Sequence, residues 1–172
     1  MALYALGDAV PSIDPDAFVH PDATIIGAVV LGPGVTVWPQ AVLRGDQSRI
    51  VIGARTSVQD GAVVHCTRDL ETIVGADCTI GHLAHLEGCR VEDGALVGTG
   101  SIVLHRAVIR SGALVGAGAV VPNGMEVPAG AMALGVPATL RLDAVKPDQI
   151  THPAREYQRN WERYRAEMRR LD

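Results

Sequence analysis

The stretch CRVEDGALVGTGSIVLHRAVIRSGALVGAGAVVPNGMEV, residues 89–127, carries an aliphatic side chain at every sixth position: Val91, Val97, Val103, Ile109, Val115, Val121 and Val127. Two residues before each stand Cys89, Ala95, Ser101, Ala107, Ala113, Ala119 and Met125, so a small side chain accompanies the large one in six of the seven units. A helix of 3.6 residues per turn cannot keep such positions on one side. Six-residue units fit a parallel β-helix instead, each supplying one short strand and one corner, with three units completing a triangular turn. Large aliphatics fill the prism and small ones occupy its corners.

The register runs backwards through Leu86, Ile80 and Val74, then Val64, Val58 and Ile52, then Leu43, Val37 and Leu31. Extra residues near 45–48 and 66–70 read as loops bulging between turns. Grouping the units by threes predicts three columns: 31/52/74/91/109/127, 37/58/80/97/115 and 43/64/86/103/121. Members of a column stack about 4.8 Å apart.

The expected organisation is an all-β, parallel β-helix over residues 1–140, followed by a linker and a C-terminal α-helix over 141–172. Past residue 140, Ala154, Tyr157, Trp161, Tyr164, Met168 and Leu171 recur at spacings of three and four, the apolar face of an amphipathic helix. Thr151 and Pro153 suit its start.

Composition narrows the function classes. Aromatics make up 3% of the chain against 19 glycines and 10 prolines, which favours short strands and tight turns over helices. A formal charge of −4 offers no basic stripe for a phosphate backbone, and no apolar run approaches the roughly 18 residues of a membrane span. Neither nucleic acid nor membrane is an expected partner. The start, MALYALGDAVPSIDP, lacks a basic segment followed by a long apolar one, so a cytoplasmic location is expected. Three cysteines, Cys66, Cys78 and Cys89, form no CxxC pair, and Cys78 reads as a small core residue.

Chemistry concentrates where the columns stack polar residues. The residue after each large aliphatic points outward, which in the third column gives Arg44, His65, Glu87 and Leu104. His65 and Glu87 thus fall on adjacent rungs of one outer face, near enough for one ion to touch both. Arg44, a rung below, is placed to hold an anion or the glutamate. His82 follows Ile80 by two residues and sits past the edge of the second face, so a neighbouring copy of the chain would have to bring it to His65. Three prisms packed side by side would form three such sites in a homotrimer. Catalytic zinc takes three protein ligands from His, Glu or Asp and keeps a fourth position for water; His65, Glu87 and a neighbour's His82 meet that count. His85 is an alternative ligand or a nearby proton carrier. Gln59, one rung below the His82 corner, would orient a water or line an interface.

VWPQAVLRGD (37–46), SVQDGAVVH (57–65) and IGHLAHLEGC (80–89) together resemble the gamma-class carbonic anhydrase family over roughly residues 10–140. The resemblance implies a left-handed β-helix, a homotrimer, and zinc (iron or cobalt being alternatives) held by three histidines across each subunit interface for hydration of CO₂ to bicarbonate. His65 and His82 match two of those ligands. The third belongs to a pattern like GHxxxxHG, whereas this chain reads GHLAHLEG, with Glu87 in its place and a histidine displaced to position 85. A carboxylate there adds negative charge and makes the metal's water less acidic, so hydration is expected to be slow or absent. Arg44 and Asp46 match a segment that looks like an intersubunit ion pair bracing the trimer, structural first and catalytic second, and Gln59 matches a water-orienting glutamine. The stretch CTRDLET (66–72) offers Asp69 and Glu71 where some members carry a proton-shuttling glutamate.

Two other functions remain open. ALGVPATLR (133–141) resembles the C-terminal segment of hexapeptide-repeat acyltransferases, and loss of one ligand histidine is consistent with a non-catalytic binding or assembly module.

Overall fold

The computed structural model describes residues 1–171, with the side chains of residues 147, 151, 152 and 154 outside the described set. The chain winds into a left-handed parallel β-solenoid of about 7 turns, followed by a C-terminal helix. Each column has the register expected from the six-residue period. Leu31, Ile52, Val74, Val91, Ile109 and Val127 stack on the first face. Val37, Val58, Ile80, Val97 and Val115 stack on the second, and Leu43, Val64, Leu86, Val103 and Val121 on the third. All of these side chains are buried. The alanines two residues before them, such as Ala41, Ala62, Ala84, Ala95 and Ala107, have no exposed surface at all. They sit where the prism narrows, and a larger side chain there would force off-rotamer packing.

The period also extends one turn further than the sequence reading took it. Ile13 pairs with Leu31, Val19 with Val37 and Ile25 with Leu43, so residues 13, 19 and 25 form the first rung.

The extra residues near 45–48 are not a loop. Val42–Ile52 is one eleven-residue strand that turns a corner of the prism beside Thr24–Leu31, with its register shifted between Gly27 and Val29. Inserted residues can stay in the ladder as a bulge that bends the strand. The two backbones press together there: a Cβ on Gly45 would lie 2.7 Å from the Ala28 carbonyl oxygen, so only glycine fits between Arg44 and Asp46. This strand joins the first and third faces into one 12-stranded sheet, while the second face is a separate 8-stranded sheet. Residues 66–70 do form a tight loop, closed by a Thr67–Leu70 bridge.

The helix Pro147–Glu167 starts a turn earlier than the sequence suggested, leaving Pro153 inside it. The Lys146 N–H donates to Gln149 Oε1 at 2.8 Å, which satisfies one backbone group at that end. Thr151 and Ala154, read from the sequence as helix start and apolar face, have side chains outside the described residues. Met168 and Leu171 fall beyond the last turn and are exposed. The helix docks on the second face through Trp38, whose ring lies 5.3 Å from Tyr157, 5.0 Å from Tyr164 and 5.7 Å from Phe18 between centroids. The Trp38 indole N–H faces the Thr36 and Ser57 hydroxyls at 3.0 and 3.1 Å, so its one polar atom is satisfied. No helix among the described residues is long and apolar enough to cross a membrane.

All three cysteines are free and buried. Burial pushes the Cys78 thiol up to about 11 and the Cys89 thiol up to about 12.

Candidate functional site

Strand pairing assembles the site. Arg44 is in register with His65, and His65 with Glu87, so three outward side chains climb the third face on successive rungs. Arg44 Nη1 touches Asp46 Oδ2. Asp46 Oδ1 lies 3.0 Å from His65 Nε2, and His65 Nδ1 lies 2.7 Å from Glu87 Oε1. Both ring nitrogens of His65 therefore face carboxylate acceptors, and both contacts are made as hydrogen bonds only when each nitrogen carries a proton. Below the cluster, Thr72 donates to the His65 carbonyl and accepts the Gly88 N–H at 2.8 Å, which ties the two strand ends together.

The other carboxylate oxygen of Glu87 has different neighbours. His85 Nε2 is 3.5 Å from Glu87 Oε2, and His105 Nε2 is 3.6 Å from it. His105 did not emerge from the sequence as a site residue. Its signal was its place two residues past Val103 in the third column, the same offset that His82 has from Ile80 in the second. Gly88 makes room for the imidazole: its φ is +59°, and a Cβ there would sit 3.0 Å from His105 Cδ2.

Burial works to raise both carboxyls of the cluster, and their partners outweigh it. Glu87 is held below the usual carboxylate range by the hydrogen bond and charge of His65, the charge of His105 and the contact with His85. Asp46 is likewise held low by the hydrogen bond from His65 and the adjacent Arg44 guanidinium. A carboxyl that ionises more readily folded than unfolded adds stability that is complete above its unfolded pKa, about 4 for both types. That stability drains away as pH falls through the lower folded values. The unfolding free energy, followed by urea denaturation from pH 6 to pH 3, should therefore fall more steeply for the wild type than for Glu87→Gln. Equal slopes would mean that the ring contacts on Glu87 do not persist in solution.

The structure does not bring His82 or Gln59 to this cluster within one chain. His82 Nδ1 lies 2.9 Å from Asp60 Oδ2, and its Nε2 lies 3.0 Å from the Tyr157 hydroxyl. Burial, then the charge of Asp60, raises the Tyr157 phenol above its ordinary value. Gln59 is buried on the second face, beside Val58. In the loop, Glu71 pairs with Arg49 at 3.2 Å rather than approaching Glu87.

Imidazole and carboxylate are the donor types of catalytic zinc sites, and the third face supplies both. Within one chain, no three His, Cys, Asp or Glu side chains among the described residues converge closely enough to hold an ion as they stand.

No protein-family model matches the chain. Over 109 residues it is 45% identical to the carnitine operon protein CaiE of Escherichia coli K12, a match covering 63% of this chain and 56% of that protein. The chain thus spans little more than half the length of the curated relatives it matches. Two solved structures align along nearly the whole chain. One, a Bacillus cereus protein provisionally named an acetyltransferase, is 32% identical with a TM-score of 0.93, covering 97% of this chain and 98% of that one. The other, a hexapeptide transferase family protein from Anaplasma phagocytophilum, is 34% identical with a TM-score of 0.90, covering 95% and 98%. With the six-residue register seen on all three faces, these full-length likenesses establish that the chain belongs to the hexapeptide transferase family of left-handed β-helix proteins.

Proposed function

We propose that the chain is a metal-dependent hydratase of the carbonic anhydrase kind, combining CO₂ and water to give bicarbonate and a proton, and that it acts as a homotrimer. The observation that carries this reading is the contact of His65 with Glu87 on adjacent rungs of an outward face. Two zinc-type donors are held there by strand register and braced from below by Asp46 and Arg44. The family resemblance assigns the ion to His65, Glu87 and His82 of an adjoining copy. What zinc contributes when bound is Lewis acidity and a water acidified to near neutrality. Asp46 and Arg44 orient His65, and His85 lies close enough to Glu87 to take up a proton there. Support for a covered neighbouring face comes from Leu83 beside His82, which is 68% exposed at a φ of +58°. A bulky apolar side chain in the left-handed region is rare.

Purified protein should contain metal, sediment as a trimer, and hydrate CO₂ at a rate that chelation removes and added Zn²⁺ restores. His65→Ala should reduce that rate by at least about 10²-fold, since it removes a ligand or the group that fixes one. Hydration that persists in fully chelated protein, or in His65→Ala, would overturn the reading.

The names of the two full-length structural relatives favour a second reading, acyl transfer. Release of free CoA from acetyl-CoA in the presence of an amine or hydroxyl acceptor distinguishes it. A chain that binds metal but catalyses neither reaction is a binding module.

A further inference from the structure

Four arginines of the solenoid are matched by carboxylates. Arg44 meets Asp46, Arg49 meets Glu71 at 3.2 Å, Arg55 meets Asp77 at 2.5 Å, and Arg110 meets Glu92 and Glu126 at 2.7 and 2.9 Å. Arg90 and Arg106 have no such partner among the described residues, yet both line one groove. Its volume is about 440 Å³, within the range of small-molecule sites.

Strand register places Arg90 on the first face between Ile73 on the rung before and Val108 on the rung after. Both neighbours are only partly buried, so this guanidinium is flanked by apolar surface rather than by an acid. Arg106 enters from the corner, where its backbone N–H donates to the Gly88 carbonyl at 2.7 Å. Another wall is the loop after His65, closed by paired backbone bonds between Thr67 and Leu70 at 3.0 and 3.3 Å. Gly88 lets that loop pack close, since a Cβ there would lie 3.0 Å from Leu70 Cβ. The groove is therefore built before any ligand arrives, which lowers the cost of binding.

Its charges do not balance. Glu71 also lines it but is matched by Arg49, which leaves two guanidinium groups against one free carboxylate, Asp69. An excess of one positive charge beside apolar side chains is the complement of a monoanion with an apolar tail. The guanidinium fork fits a carboxylate head. A phosphate ester, doubly charged, would leave one negative charge uncompensated beside Asp69.

We propose that this groove binds a small aliphatic carboxylate, its head between Arg90 and Arg106 and its tail along Ile73 and Val108. Such a site neither requires nor excludes metal chemistry at Glu87.

The test is a ¹H–¹⁵N NMR titration of the full chain with hexanoate. Amide shifts centred on Leu70, Gly88, Arg106 and Val108 should saturate. Acetate, which lacks the tail, and hexylamine, which reverses the charge, should bind at least about tenfold more weakly. Arg90→Gln and Arg106→Gln should each weaken hexanoate at least about fivefold while the rest of the spectrum stays unchanged. Hexyl phosphate, a dianion at about pH 8, should bind more weakly than hexanoate, and Asp69→Asn should narrow that gap. The wild-type comparisons decide the matter even where a variant fails to fold. Absence of saturable shifts, shifts centred elsewhere, or hexanoate binding that either arginine variant retains overturns the site. Tighter binding of hexyl phosphate than of hexanoate by the wild type overturns the carboxylate assignment.

Discussion

On the proposed hydratase reading, Glu87→His should raise the rate of CO₂ hydration at pH 7 by up to about tenfold and shift the acid limb of the pH–rate profile to lower pH. A carboxylate ligand partly neutralises the ion, so water at the metal releases its proton less readily than beside a neutral imidazole. One pKa unit is about 1.36 kcal/mol, or a tenfold change in the ionised fraction below the pKa. The substitution also restores the GHxxxxHG spacing. It has a structural cost, because Glu87 is the acceptor for His65 and the centre around which His85 and His105 gather. Metal affinity and thermal stability must therefore be measured beside the rate. Activity gained with metal content unchanged identifies the charge at position 87 as the brake. A variant that binds metal and remains inert, like an inert wild type, means that catalysis was lost elsewhere or never present.

Leu86→Ala is expected to cost about 2–5 kcal/mol of stability. For a chain of this length each kcal/mol lowers the melting temperature by roughly 2–4 °C, so a drop of order 10 °C should be seen. Leu86 is fully buried, stacked between Val64 below and Val103 above, and its strand neighbours His85 and Glu87 point the opposite way into the site. Flanking rungs fix the walls, so the vacated volume cannot collapse easily. In a solenoid each turn leans mainly on its neighbours, and hydrogen exchange should speed most around Val64, Leu86 and Val103 and least near Ile13 or Val127. Leu86→Met, which keeps the volume, should cost under about 1.5 kcal/mol. A loss as large as that of alanine would mean that shape rather than volume controls this position.

The fold was readable because a six-residue period is a long-range statement in local form: naming Val64 and Leu86 as column partners requires only counting. The same counting, carried three units further, would have found Ile13, Val19 and Ile25. It failed at 45–48 because an insertion says that residues are added, not whether they leave the ladder, and only the close approach of Gly27 and Gly45 keeps that strand continuous. Pro153 reads in the sequence as a first-turn proline, whereas the helix carries it internally and begins at Pro147. Register also placed His65 against Glu87. Which oxygen each histidine meets, and that His82 turns to Asp60 and Tyr157, depends on side-chain torsions and on a helix some seventy residues away, which no spacing encodes. His105 lies beyond the segments, ending at residue 89, that carry the family resemblance.

Cys78 and Cys89 occupy corners on adjacent rungs with Ala84 at the corner between them, each two residues before a column aliphatic, and their thiols are sealed and hard to ionise. Alkylating reagents attack only the thiolate, so these sulfurs stay silent while the turn is shut. The chain thus carries a native clock beside its histidine cluster, in which the rate of modification by an excess of reagent measures how often that part of the spiral breathes open.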